Sequence, residues 1–379
     1  MLKIKPLLFY AFLLTINFIS AQKKPLDHSV YDAWQSVGSR LISNDGKWLG
    51  YYVDAQEGDG NLYLYSTINR NQQKFPRASK LFITSDSKFA LFTVKPFYKE
   101  IKAVNDKKLK KNKLVKDSLY IINLSNQKIE KLNNIKSFKA PLKGGSYVAY
   151  LLENLKEKST DSAKEDDKDD AKEDDNKNVK PSELVVVNLS NGQKQSFQNV
   201  VKYQFSENGK QLAFVTQKPG EKNDEAKDKE KVKSKDKSKP KKYALQSVNL
   251  MNLENFAVNK LIEEEGDFSQ LSFDKSGNHF SLIGTTSAEN DLVKDYNLYY
   301  FSSNKKTVLN QNSLKMPKGW VISENKMPTF SKNGKQLYFG IAPKPIAKDT
   351  ALITNDHAIL DVWSHNDDYL NPNHAVEIF

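Results

Sequence analysis

The string nearest to a serine-nucleophile turn in this chain is Gly144-Gly145-Ser146-Tyr147-Val148. A nucleophile elbow reads Gly-x-Ser-x-Gly, because glycines let the backbone turn sharply beneath the exposed hydroxyl. Val148 stands where the second glycine belongs, so the string reads as the start of a strand. Neither a glycine-rich phosphate loop nor His-Glu-x-x-His occurs. The histidines are His28, His279, His357, His365 and His374, the last three near Asp356, Asp361, Asp367 and Asp368. A metal ion needs ligands that converge in space, and nothing in these spacings enforces that. No metal ligand and no cofactor is expected. Glu263-Glu264-Glu265 is the one acidic cluster outside the charged low-complexity tracts. Adjacent carboxylates can hold a ligand ammonium through charge-assisted hydrogen bonds. These three are therefore the candidate substrate-amine ligands, set against the commoner fate of such a run, a solvated loop.

The elements that must position such residues begin after the N-terminus. Lys3 and Lys5 precede a mostly apolar run from Pro6 to Ile19, and Ala21 offers a small residue before Gln22. This pattern predicts a secretory signal peptide over residues 1–21. The apolar run is interrupted and shorter than the roughly 20 residues a membrane span requires. No stable membrane span is expected after cleavage, and the protein should be exported to the periplasm or the exterior. Cysteine is absent, which removes disulfides and thiol chemistry. The formal net charge of +12 sits largely in three tracts and the signal. Residues 101–116 carry +6, residues 218–242 carry +5 and residues 156–180 carry −3. The folded remainder is close to neutral, so no nucleic-acid partner is expected.

One short frame recurs along the chain. Ser43-Asn44-Asp45-Gly46-Lys47, Ser206-Glu207-Asn208-Gly209-Lys210 and Ser331-Lys332-Asn333-Gly334-Lys335 each lead into an apolar, aromatic strand. Looser copies turn at Ser87, Gly145 and Gly277. Asn-Gly suggests a two-residue hairpin with both central residues at positive φ. The turns are 41, 58, 64, 68 and 57 residues apart, and removing the charged tracts brings the long gaps close to one blade of a β-propeller. Period-2 strands are expected in pairs: 48–53 with 62–65, 89–94 with 118–124, 147–152 with 184–189, 212–216 with 244–250, and 280–284 with 298–301. The predicted fold is all-β, a propeller of about six to seven four-stranded blades over residues 22–379, in a ring that need not be closed. Inserts at about 101–116, 156–181 and 218–242 fall between the first strand of a pair and its partner. They are read as disordered loops, since the latter two carry almost no apolar residues.

These turns resemble the N-terminal propeller of exported bacterial serine peptidases of the prolyl-oligopeptidase family, near its dipeptidyl-peptidase branch. The tail Leu360-Asp361-Val362-Trp363-Ser364-His365-Asn366-Asp367-Asp368-Tyr369-Leu370 is similar to an Asp-x-Trp-Ser-x-x-Asp-Asp-x-Leu segment of those propellers. The resemblance implies a propeller that restricts access to an α/β-hydrolase domain, so that peptides are its substrates only when that domain is joined. No triad residue can be carried over, and Glu263 to Glu265 match no motif of the family. The chain is thus expected to be a non-catalytic, substrate-gating propeller portion, inactive alone, with self-association through an open blade edge. The alternative is a self-contained periplasmic TolB-like propeller that binds a protein or ligand.

Overall fold

The computed structural model describes residues 28–106, 116–153, 182–218, 241–302 and 305–347. Residues 1–21, read from the sequence as a signal peptide, most of each charged insert and the Asp-Trp tail lie outside them. A 3-10 turn at His28–Ala33 leads into the first strand. Blade 1 is a meander of β1 (Gln35–Ile42), β2 (Trp48–Ala55), β3 (Asn61–Ser66) and β4 (Gln72–Pro76). Blade 2 repeats it with β5 (Ala78–Ile83), β6 (Phe89–Val94), β7 (Ser118–Asn123) and β8 (Ile129–Leu132). Blades 3 and 4 share one seven-stranded sheet made of β9 (Ile135–Lys139), β10 (Tyr147–Leu152), β11 (Ser182–Asn188), β12 (Lys194–Phe205), β13 (Gln211–Gln217), β14 (Leu245–Asn252) and β15 (Val258–Glu265). Blade 5 is β16 (Asp267–Phe273), β17 (His279–Thr285), β18 (Asn297–Ser302) and β19 (Lys305–Leu309). Two short hairpins follow, β20 (Trp320–Ile322) with β23 (Ile341–Pro343) and β21 (Thr329–Phe330) with β22 (Leu337–Tyr338). Together they are the first two strands of a sixth blade, interrupted by residues 323–328. Every pairing is antiparallel, and the first strands of successive blades approach one another, β1 to β5, β12 to β16 and β16 to β21. This is a propeller-like all-β fold.

The five expected strand pairs all form, as β2–β3, β6–β7, β10–β11, β13–β14 and β17–β18. Three details differ from the sequence expectation. The merged sheet arises because β12 runs without a break from the outer strand of blade 3 to the inner strand of blade 4. It bends where Asn199 takes φ 59 and the register shifts against both neighbours. The insert at 101–116 begins as helix rather than loop, since α1 (Tyr98–Asn105) covers its first residues.

The third difference concerns the repeated turn. Only Gly334 reaches positive φ (70°), and Ser331 pairs with Gln336 across four residues rather than two. The side chains explain this. The Gln336 N–H donates to Ser331 Oγ (3.0 Å), Ser331 Oγ donates to Asn333 Oδ1 (2.7 Å), and the Lys335 N–H donates to the same oxygen (3.1 Å). Two short polar side chains thus satisfy donors that the loop would otherwise leave to water. Ser43 with Asp45, Thr84 with Asp86 and Ser206 with Asn208 build the same device. At the fifth copy the roles swap, with Asp274 first and Ser276 third. Positive φ recurs at Gly46, Ser87, Gly145, Gly209 and Gly277, the turn positions read from the sequence.

The turns also touch each other around the ring. Asn44 Nδ2 donates to the Ser85 carbonyl (2.8 Å), Ser146 Oγ donates to Asp86, the Lys143 N–H donates to the Glu207 carbonyl (2.8 Å), and Asn208 Nδ2 donates to the Ser276 carbonyl. Gly144 packs directly on the Asn208 backbone, and Gly334 lies against the Asp274 carboxylate. Hydrogen bonds between turns therefore link blades 1 to 5 in succession, and the blade 6 turn packs against the blade 5 turn.

Apolar side chains fill the spaces between blades. Blade 2 is buried on both faces: Ala90, Phe92 and Ile122 pack toward blade 1, while Phe89, Leu91, Leu119 and Ile121 pack toward blade 3. That is why β6 reads as a continuous apolar run, as sheets covered on both sides do.

Candidate functional site

Ser146, the nearest approach to a nucleophile, is buried, and its hydroxyl donates to the Asp86 carboxylate of the neighbouring turn. Burial works to raise the Asp86 pKa, but hydrogen bonds from the Ser146 and Thr84 hydroxyls and the Lys88 N–H outweigh it and hold the carboxyl below its ordinary value. The pair joins blade 2 to blade 3. It is a structural contact immediately before β10, consistent with the strand-start reading.

Glu263, Glu264 and Glu265 occupy the end of β15, the outermost strand of blade 4, and all three are exposed. Alternation along the strand sends them to opposite faces. Glu263 pairs with Lys260 (2.8 Å), Glu265 with Lys242 (2.8 Å), and Glu264 approaches Lys306 of blade 5 (3.9 Å). The Lys260 hydrogen bond leads the effects that lower the Glu263 pKa. The three carboxylates are thus not gathered at one point, and each already faces an ammonium. His279 is the one sequence-flagged histidine whose side chain is described; its Nδ1 meets the Tyr300 hydroxyl at 2.7 Å beside Phe330. His357, His365 and His374 lie outside the described residues. No group of three potential metal ligands and no helix long and apolar enough to cross a membrane occurs among the described residues.

Two features that sequence reasoning missed stand out. The first is the outward face of blade 1. Paired residues of an antiparallel sheet share a face, which places Ile42, Leu49 and Tyr65 in one row, Arg40, Tyr51, Tyr63 and Lys74 in the next, and Val37 with Val53 beyond. The residues that alternate with them, Leu62, Leu64 and Phe75, point the other way, into the blade 1–blade 2 core. No other sheet of the described residues covers the outward row: Val37 is 63% and Ile42 59% exposed. Tyr51 and Tyr63 stack on it with ring centroids 5.2 Å apart. The alternation Asn-Leu-Tyr-Leu-Tyr-Ser in β3 carried this signal, in contrast to Phe-Ala-Leu-Phe in β6.

The second feature is a cleft of roughly 420 Å³ between blades 1 and 2, at the end of the ring from which the inserts emerge. Three cations line it: Arg77, Lys80 and Lys95. Arg77 sits at the link between blades with φ 60. Its N–H donates to the Gly60 carbonyl, its guanidinium donates to the Lys95 carbonyl (2.8 Å), and the Phe97 ring lies 4.0 Å beneath it. Lys80 stands at the register shift of β5 with φ 56. Among the described residues neither lysine is ion-paired. Asp59 is occupied, accepting the first N–H of α1 from Tyr98 (2.8 Å), and Asp54 is an exposed carboxylate packed over Gly60, where a Cβ would collide with it. No sequence motif announces this cluster, because Lys95 is brought to Arg77 and Lys80 only by the pairing of β5 with β6.

No family model matches the sequence, and no curated protein matches it either. Among solved structures, the β-propeller domain of the trilobed protease from Pyrococcus furiosus is matched at 11% identity over 83% of this chain and 86% of that one, with a TM-score of 0.39. Pyrococcus horikoshii acylaminoacyl peptidase is matched at 12% identity over 86% of this chain and 48% of that one, with a TM-score of 0.38. TolB from Acinetobacter baumannii is matched at 14% identity over 71% of this chain and 52% of that one, with a TM-score of 0.29. The chain therefore spans about half the length of the acylaminoacyl peptidase. The match to the trilobed protease is to its β-propeller domain.

Proposed function

We propose that this chain is the non-catalytic, substrate-gating propeller portion of an exported serine peptidase of the prolyl-oligopeptidase type. The observation that carries the reading is the outward face of blade 1. Every sheet face between blades 1 and 5 is sealed by the next blade, whereas this one leaves aliphatic and tyrosine side chains in water. Contiguous apolar surface of this kind marks a contact site, and a partner sheet is the occupant the fold is built to accept. The repeated Ser-x-Asn-Gly-Lys turns and the Asp-Trp tail support the family. In this reading peptides are the substrates of the joined enzyme, nucleic acid is not a partner, and the signal over residues 1–21 directs the protein to the periplasm or the exterior. The isolated chain is expected to turn over neither Xaa-Pro nor Ala-Ala chromogenic substrates. Turnover abolished by a serine-directed inhibitor would overturn the assignment.

A self-contained TolB-like binding module is the second reading, favoured by the unbroken chain of turn-to-turn contacts that ties the six blades together. Light scattering after size exclusion separates the two. With the blade 1 face uncovered, the wild-type chain should associate as concentration rises, and Tyr63→Lys with Tyr65→Lys should shift it toward monomer. A wild-type chain that stays monomeric throughout supports the self-contained module instead.

A further inference from the structure

We infer that the cleft between blades 1 and 2 is a binding site for a small ligand carrying more than one carboxylate. The argument starts from charge. Arg77, Lys80 and Lys95 converge on one cleft from the blade link, the β5 bulge and the segment before α1, and the N-terminus of that eight-residue helix opens beside it. Like charges gathered in one place repel, so such a cluster ordinarily comes with carboxylates that neutralise it. Here Asp54 and Asp59 share the lining, Asp59 also accepting the Tyr98 N–H, so three cations face two carboxylates and neither lysine has an ion-pair partner among the described residues.

Asp117, a further carboxyl within the fields of Lys80 and Lys95, is half-buried, and desolvation by burial raises its pKa in spite of them. Glu153 adds to that rise and Lys116 opposes it. Asp117 therefore feels the lysines at a distance without pairing with either.

Geometry adds specificity to the charge. The guanidinium of Arg77 is held by the Lys95 carbonyl along one edge and by Phe97 across one face. A guanidinium fixed in this way has lost its freedom before a ligand arrives, and its planar fork suits a carboxylate in two-point contact. The ammonium groups of Lys80 and Lys95 are point charges suited to a second carboxylate. The Gly58 to Gly60 segment and Tyr98 also line the cleft. At roughly 420 Å³ the space is within the usual range for small-ligand sites.

Isothermal titration of the full chain with citrate tests this, at fixed ionic strength and with the uncharged malonamide as control. Citrate should bind with one site per chain, and malonamide should not. Lys80→Met combined with Lys95→Met should weaken binding at least tenfold. Lys74→Met, on the outward face of blade 1, should leave it unchanged. Arg77→Met should also weaken binding, but this side chain braces the Lys95 carbonyl, so the lysine pair is the decisive variant. Absence of saturable binding at millimolar citrate would overturn the inference. So would binding that survives the double lysine variant, since the charge responsible would then lie in the lysine-rich inserts.

Discussion

Gly144→Ala is expected to destabilise the fold by about 2–5 kcal/mol, the sum of two separate costs. The residue has φ 81°, and a left-handed backbone costs a residue with a Cβ roughly 1–2 kcal/mol. The added Cβ would stand 1.6 Å from the Asn208 carbonyl oxygen, which belongs to the turn of the next blade. Overlap with backbone is relieved only by moving one blade against the other, at roughly 1–3 kcal/mol by analogy with overpacked cores. Gly46→Ala is the matched control, with φ 70° but nothing within 4 Å of its added Cβ. It should lose only the conformational share, about 1–2 kcal/mol. Urea midpoints read at constant m-value give both numbers. Equal losses at the two sites would show that the turns of blades 3 and 4 do not bear on each other.

Phe92→Ala should cost roughly 3–5 kcal/mol, as is usual for removing a fully buried aromatic ring. Phe92 has no exposed surface and packs against Phe75 of blade 1 (4.8 Å between centroids) and Tyr120 of its own blade (5.5 Å). The cavity would open at the seam between two sheets, where little can collapse to fill it. Tyr63→Ala is the contrast within the neighbouring sheet. Tyr63 lies on the uncovered face of blade 1 and gives up a stacking contact with Tyr51 and partial burial. Its loss should be under about 1.5 kcal/mol, the scale of one aromatic pair. A large loss at Tyr63 in the dilute chain would mean that its face is already covered.

Most of the blade architecture was legible in the sequence. The frame Ser-x-Asn-Gly-Lys carries its own hydrogen bonds, with the serine oxygen on the strand N–H and the asparagine oxygen on the lysine N–H. Interactions that close within five residues depend on little else, so each copy marks a turn and fixes the strand after it. The strand pairs followed for the same reason. The turn geometry itself was misread: Asn-Gly suggested two residues at positive φ, whereas the serine and asparagine side chains stabilise a four-residue loop with glycine alone at positive φ.

What chemistry the chain could present was far less legible. Glu263, Glu264 and Glu265 are neighbours in sequence, yet the strand period turns them apart and lysines from three places meet them. Arg77, Lys80 and Lys95 look unremarkable in sequence, yet the blade link and the β5 bulge gather them at one cleft.

The sequence by itself thus determined the repeat, its turns and the strands they begin, because those rest on contacts within a few residues and on period-2 burial. Only the tertiary structure decided which faces are sealed, which turns touch and which charges share a space. Those outcomes depend on how one sheet sits against the next, and the turns that meet lie 41 to 68 residues apart along the chain.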